Sequence, residues 1–460
     1  MTDTRELDEI LNSAHEAARA FLQTAAARPV AAPLQPVPFP ELPERGWGAL
    51  RAIEFFRANL EPMLSGSPGP RYLGFVTGGA TPAAVAGDWL VSAYDQNVSN
   101  DGDSIATAVE RHTLALLRTL FGLPDAFEGA FVSGATQANL VALATARQWV
   151  YDRVGVDVAQ VGLAGAPPVA VLGGSPHASI DKALSILGMG RASIERIPCL
   201  PGRAAIDPAA LDQRLAAHAA KGGPPCIVTA SAGEVNTGDF DDLRAIGAIA
   251  RRYGAWFHVD GAFGLFAAVD PELAHLVAGV EAADSIAADA HKWLNVPYDS
   301  AFVWTRHLPL QERVFRAAGP YLGAGPDLLH RTPENSRRFR ALPAWMTLMA
   351  YGREGYRAII HRCCAHARRL GAHLAASSSF ELLDEVRLNI LCFAPRGGDP
   401  SQRDRVLEAL RAGGRAFLTP TTFSGRPAIR AAFSNWSTTD DDVALIARAL
   451  DDAAASALTP

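Results

Sequence analysis

Between residues 167 and 305 the chain alternates strand and helix signals without a break, and this constrains the fold more than any other feature. PPVAVLGGS reads as a strand and SIDKALSILG as a helix; RASIERIPC and DPAALDQRLAAHAAKG repeat the pair. PPCIVTASAG, FDDLRAIGAIARRYG and AWFHVD continue it, and DSIAAD and SAFVWT follow as strands. Short apolar runs separated by amphipathic segments of helical period predict an α/β layer fold around a mostly parallel sheet. In such sheets ligands bind beyond the carboxyl ends of the strands. His177, the Gly233–Thr237 turn and Asp260 each follow a predicted strand there.

Around this centre the chain divides into three expected parts. Residues 1–70 hold a helical pattern over 5–28, a segment with six prolines from Arg28 to Gly46, and a second helix over 47–64. Proline-rich chain is extended, so this part is expected to be an arm packed on something else rather than an independent domain. Residues 71–345 form the large domain, opening with helices from about Thr81 and over 104–121. Residues 306–336 are expected to be irregular, and a long helix is expected from near Arg337 with another over 353–376. Residues 346–460 end in strand–helix alternation, predicting a small α+β domain.

Composition excludes some partners. The net charge is −6 over 460 residues, which gives no reason to expect nucleic acid or an anionic membrane surface. No apolar run approaches the roughly 20 residues of a spanning helix. The acidic, amphipathic N-terminus lacks the basic start of a signal peptide. Five cysteines without metal spacing fit a reducing, cytoplasmic setting.

The chemistry is expected around one lysine. Only Lys182, Lys221 and Lys292 occur, and arginine supplies the other basic side chains. Arginine stays protonated and forms no imine, whereas a lysine of lowered pKa does. Lys292 sits in DAHKWLNVPY, between His291 and Trp293, some thirty residues after Asp260 in HVDGAFG. Upstream, FVSGATQANL runs from strand to turn to helix. Ser133, Gly134, Ala135 and Thr136 lie where backbone N–H groups hold an anion, or where Ser or Thr caps its own helix. Singly, each residue has a plain structural reading: a satisfied strand-end histidine at His177, a helix cap at Asp260, an exposed snorkelling lysine at Lys292, a carbonyl-orienting ring at His291. Together they meet the needs of pyridoxal 5'-phosphate. Lys292 offers the amine, Asp260 a carboxylate for the pyridine nitrogen, Ser133–Thr136 an anion site and His177 a flat ring to stack.

The stretches FVSGATQANLVAL, SPHASIDKAL, TASAGEVNTGDFDDL, HVDGAFG, DAHKWLNVPYDSAFVW, NSRRFRALPAWMTLMAYG and AFSNWSTTDDDV resemble the group II pyridoxal-phosphate-dependent amino-acid decarboxylases. That family includes aromatic amino-acid and glutamate decarboxylases. The resemblance implies a fold type I, aspartate aminotransferase-like large domain, a small C-terminal α+β domain and a helical N-terminal arm. It implies an intimate homodimer with the active site at the interface. It further implies that Lys292 bonds covalently to the cofactor, Asp260 pairs with its ring nitrogen, Ala262 packs beneath the ring and His177 stacks above. Ser133, Gly134, Ala135 and His291 border the phosphate, and Tyr72, Phe75 and Thr77 line the substrate pocket. The expected reaction is loss of carbon dioxide from an L-amino acid. One departure stands out: the family's proton-donating loop tyrosine falls here at Leu328, in a shortened loop, with Tyr321 and His330 nearby but out of register. That keeps open an oxidative deaminase or aldehyde synthase, or a carbon–carbon lyase.

Overall fold

The computed structural model describes every residue except 1–3, 33, 38, 320–324, 326, 398 and 458–460. Helix α1 (Leu7–Thr24) and helix α2 (Ala49–Asn59) flank the proline-rich segment, each somewhat shorter than its sequence pattern predicts. Neither has a buried residue. Helix α3 (Pro82–Tyr94) starts where Thr81 caps the Ala84 N–H and Pro82 fills the first position, both favourable at a helix start. Helix α4 (Ala106–Leu120) follows.

The central layer then builds in chain order: β1 (Glu128–Val132), α5 (Ala135–Asp152), α6 (Val158–Val161), β2 (Val171–Gly173), α7 (Ala178–Ile186), β3 (Ile194–Arg196), α8 (Pro208–Ala219), β4 (Ile227–Ser231), α9 (Leu243–Arg252), β5 (Trp256–Asp260), β6 (Ser285–Asp289), α10 (Ala290–Trp293) and β7 (Ala301–Thr305). Seven strands form one sheet in the order β1-β7-β6-β5-β4-β2-β3. Every pairing is parallel except those of β7, which runs antiparallel to β6 and β1. The cause is the connection from β6 to β7, residues 290–300, which is too short for the crossover that a parallel return requires. That short return carries Lys292. Helix α5 packs across the sheet with Ala138, Val141, Ala142 and Ala146 buried; small side chains let it lie close to the strands.

Helix α11 (Leu308–Phe315) occupies part of the stretch expected to be irregular. Its signal was masked by the prolines and glycines around it, but Leu308 and Gln311 are buried and anchor it. Helix α12 (Ala341–Ala376) corrects a second expectation, since it begins at Ala341 and not near Arg337. Pro343 accounts for the start: in the first turn its missing N–H costs nothing, whereas in a helix begun at Arg337 it would break an internal bond. Arg337 itself is drawn inward. Its guanidinium pairs with Glu110 at 2.7 Å and donates to the carbonyls of Val98 and Phe131, fully buried. The two helices expected along this stretch are joined through Gly352, which breaks the helical path at φ 58°. Strands β8 (Phe380–Leu382) and β9 (Ile390–Pro395), helix α13 (Pro400–Gly413), strands β10 (Thr419–Phe423) and β11 (Arg426–Ala432), and helix α14 (Asp440–Ala457) complete the chain. These strands make a separate antiparallel sheet, β10-β11-β9-β8.

Candidate active site

The ends of four strands meet at one edge of the large sheet. Asp260 closes β5 and Asp289 closes β6. Ala301 of β7 pairs with both Val132 and Asp289, so the turn after β1 stands beside the Lys292 turn. Lys292 Nζ lies 2.9 Å from Asp289 Oδ2, three residues back, where a helical turn places both on one face. The Lys292 side chain is 18% exposed and that of Asp289 3%, so Lys292 is not a snorkelling surface lysine.

Asp289 Oδ1 accepts the Ala135 N–H at 2.6 Å and stands 3.5 Å from His291 Nε2. The start of α5 therefore presents an N–H group that attracts a carboxylate, as expected of a helix N-terminus. Its cap residue is Gly134, without a side-chain cap bond. Ser133 does not cap the helix; its hydroxyl and its N–H both meet Gln137 Oε1, at 2.6 and 3.0 Å. His291 does not orient a carbonyl: its Nδ1 accepts the Ser300 N–H at 3.2 Å, and its ring packs tilted against Tyr298 with centroids 4.4 Å apart. Burial holds the His291 pKa below its ordinary value, against the pull of Asp289, so its ring is neutral near pH 7.

Asp260 caps a turn through the Ala262 N–H, which meets Oδ1 at 3.1 Å. Its other oxygen accepts from Asn139 Nδ2 at 2.9 Å. The Ala262 carbonyl accepts the Asp289 N–H at 3.0 Å, tying the two acids' turns together. His177 caps α7, its Nδ1 facing the Ser179 N–H at 3.2 Å and the Ser179 hydroxyl at 2.8 Å. Burial lowers the His177 pKa, and Asp260, Lys292, Asp289 and Arg430 are the charged groups it feels. His177, Asp260, Asp289 and Lys292 thus form one electrostatic cluster.

The segment holding Tyr72, Phe75 and Thr77 is clamped between the two sheets. Tyr72 stacks on Phe417 at 4.4 Å, and the Leu73 N–H donates to the Phe417 carbonyl. Burial, and then Tyr298, raise the Tyr72 pKa. Thr77 Oγ1 is 3.2 Å from the Tyr298 hydroxyl. Asn295 Nδ2 donates to the carbonyls of Gly78 and Ser434, at 2.6 and 2.8 Å. Phe75 stands apart, 61% exposed, with its ring 6.3 Å from Phe417. Leu328, at the register of the expected tyrosine, is fully buried in a short 3-10 turn. His330 is buried in the same turn and its Nδ1 accepts the Ala317 N–H at 3.3 Å; Tyr321 lies outside the described residues.

Sequence reasoning missed Asn139, Ser179, His258, Asp289, Asn295 and Tyr298. One of these left a signal: Asp289 stands three residues before Lys292. A primary amine, a supported carboxylate and a helix N-terminus that accepts an anion make a donor set that suits a phosphorylated, electron-accepting aldehyde.

Comparison with known proteins agrees. The profile of the pyridoxal-dependent decarboxylase conserved domain matches residues 33–396. An aromatic-L-amino-acid decarboxylase of Bacillus atrophaeus is 27% identical over 420 residues, covering 87% of this chain and 85% of the relative. Tryptophan decarboxylase 1 of Oryza sativa subsp. japonica is 29% identical over 408 residues, covering 82% and 78%. A crystal structure of Oryza sativa TDC with PLP and tryptamine superposes with a TM-score of 0.90, covering 99% of both chains at 24% identity, which shows a shared fold.

Proposed function

Because this chain belongs to the pyridoxal-dependent decarboxylases, we propose that the cluster around Lys292 is its active site. The protein is a pyridoxal-phosphate-dependent lyase that releases carbon dioxide from an amino acid. The observation that carries the assignment is Lys292, one of three lysines in the chain, held by Asp289 at the strand edge where Asp260 ends. When bound, the cofactor supplies an electron-accepting ring that takes up the electron pair left as the Cα–carboxylate bond breaks.

The residues divide the work. Lys292 would anchor the cofactor through its amine, and the same amine is placed to move a proton within the site. Asp260 would hold a proton on the ring nitrogen; its carboxylate is fixed by Asn139 and the Ala262 N–H. His177 and Ala262 would pack against the ring. Ser133, Gly134, Ala135 and His291 border the phosphate, with Asp289 steadying Lys292 until the cofactor is in place. Tyr72, Phe75 and Thr77 face the substrate, and the aromatic and tryptophan decarboxylases among the relatives favour an aromatic side chain. We also propose a homodimer with the site at its interface, the arm of residues 1–70 reaching the partner. Helix α1 supports this, because it has no fully buried residue while Leu7, Leu11 and Leu22 stand exposed. No helix among the described residues is long and apolar enough to cross a membrane. Five free cysteines, four of them buried, support a cytoplasmic setting.

Lys292→Ala tests the assignment: the absorbance of covalently bound cofactor is expected to vanish together with carbon dioxide release. An unchanged cofactor spectrum in that variant would sink it. The products test the chemistry separately. Amine and carbon dioxide in equal amounts are expected, whereas aldehyde, peroxide and ammonia would mean that Leu328, in place of a loop tyrosine, leaves the carbanion to react with oxygen.

A further inference from the structure

One run of hydrogen bonds passes through the core beneath the site. Trp256 Nε1 donates to Ser285 Oγ at 3.0 Å, and that oxygen is 2.9 Å from His258 Nδ1. His258 Nε2 is 2.9 Å from Asn139 Oδ1. Asn139 Nδ2 donates to Asp260 Oδ2 at 2.9 Å and to Ser179 Oγ at 3.0 Å. Ser179 Oγ is 2.8 Å from His177 Nδ1, which also faces the Ser179 N–H at 3.2 Å.

The proton positions along this run are decided by groups that have no choice. An ionised carboxylate only accepts, so the amide of Asn139, not its carbonyl, faces Asp260. The Asn139 carbonyl then faces His258, whose Nε2 must carry a proton. Burial holds the His258 pKa at about 4, so the ring is neutral, its Nδ1 is bare, and Ser285 donates to it. On the other branch, a backbone N–H only donates. His177 Nδ1 meets one such donor and the Ser179 hydroxyl, which itself accepts from Asn139. His177 Nδ1 is therefore bare, and the ring's proton sits on Nε2, which has no hydrogen-bond partner among the described residues.

We infer that Asn139 and Ser179 lock His177 as its Nε2–H tautomer, so that the ring offers the active site one donor and no acceptor. Asn139 is thereby a positioning residue that ties the His177 tautomer to the Asp260 carboxylate through a single amide. The inference rests on the proposed function only in taking His177 and Asp260 as parts of the active site; the tautomer belongs to the chain without its cofactor.

Nitrogen NMR of the apoenzyme labelled at histidine reads the tautomer directly, with His177→Gln identifying the signals. A bare Nδ1 and a protonated Nε2 are expected; a protonated Nδ1 in the wild type overturns the inference. Ser179→Ala, which orphans no charge, removes one donor to Nδ1. It is expected to shift the tautomer ratio about five-fold toward Nδ1–H, the worth of one hydrogen bond, and Ser179→Thr to restore it. An unchanged ratio in Ser179→Ala overturns the role of Ser179. Asn139→Ala is expected to weaken pyridoxal phosphate binding about ten-fold, the cost of leaving Asp260 without its amide; equal affinity overturns the link to Asp260. Failure of the Lys292 assignment shows separately, as bound-cofactor absorbance surviving in Lys292→Ala.

Discussion

At the scale of single residues, buried neutrality is the organising fact. His258 is fully buried between Ser285 and Asn139 and is held neutral down to about pH 4. Its unfolded counterpart titrates near pH 6.5. Between those values the unfolded chain binds the extra proton, so the stability His258 contributes is complete above about pH 6.5 and is lost as pH falls toward 4. His258→Gln is therefore expected to lose ground to the wild type at pH 7. The gap should narrow by roughly 3 kcal/mol on acidification to pH 4, as read by urea unfolding of both apoenzymes. A constant gap would mean that His258 takes up its proton as readily in the fold as in the unfolded chain. Gly78 marks a different constraint, of space. A Cβ there would lie 1.8 Å from the Lys292 carbonyl oxygen, so Gly78→Ala must move the Lys292 turn. A destabilisation of about 1–3 kcal/mol is expected from such overpacking, with less cofactor bound per chain by absorbance.

At the scale of elements, the pair of Arg337 and Glu110 joins segments far apart in the chain. Glu110 on α4 accepts the Phe131 N–H at 3.0 Å, and Arg337 donates to the Phe131 carbonyl at 2.7 Å. The approach to α12 is thus bolted to β1, just before the Ser133–Gly134 turn. Removing one partner leaves a buried charge uncompensated. Arg337→Met is expected to cost about 3–5 kcal/mol by denaturant unfolding, and Arg337→Met with Glu110→Leu to recover part of it. A double variant no better than the single one would show that the contacts to backbone carbonyls, not the ion pair, matter most. The arginines of the RRFR segment, which Pro343 keeps out of the helix, are held instead by Glu110, Asp88, Asp299 and Glu334.

At the scale of the whole molecule, the arm lies over an apolar cavity of about 890 Å³ that reaches from Phe21, Ile53 and Phe56 past Trp89 to Thr77 and Tyr298. A partly open apolar space of this kind supports the interaction surface proposed above, and its lining includes Thr77 of the proposed substrate pocket. Twice the 48.7 kDa chain mass is expected by light scattering. Leu11→Asp with Leu22→Asp is expected to shift the protein toward single chains and to lower cofactor occupancy with it. A single-chain wild type of full activity would remove the dimer from the proposal.

Much of this protein was legible in its sequence. Strand and helix alternation is local, set by the periods of apolar side chains, so the layered α/β centre and the small C-terminal sheet could be read directly. Rare chemistry is legible too: one lysine between His291 and Trp293, an acid at a strand end and a small-residue turn before a helix imply a cofactor before any coordinate is known. Other features belong to the tertiary structure because they depend on partners distant in the chain. Arg337 leaves its helix for Glu110, more than two hundred residues earlier. Asn139 joins Asp260 and His258 of β5 to Ser179 of α7, and Asp289 meets the start of α5 only because Ala301 pairs with two strands at once. Periodicity records which way a side chain faces; what it meets there, and so the protonation of His177 and His258, is decided by packing.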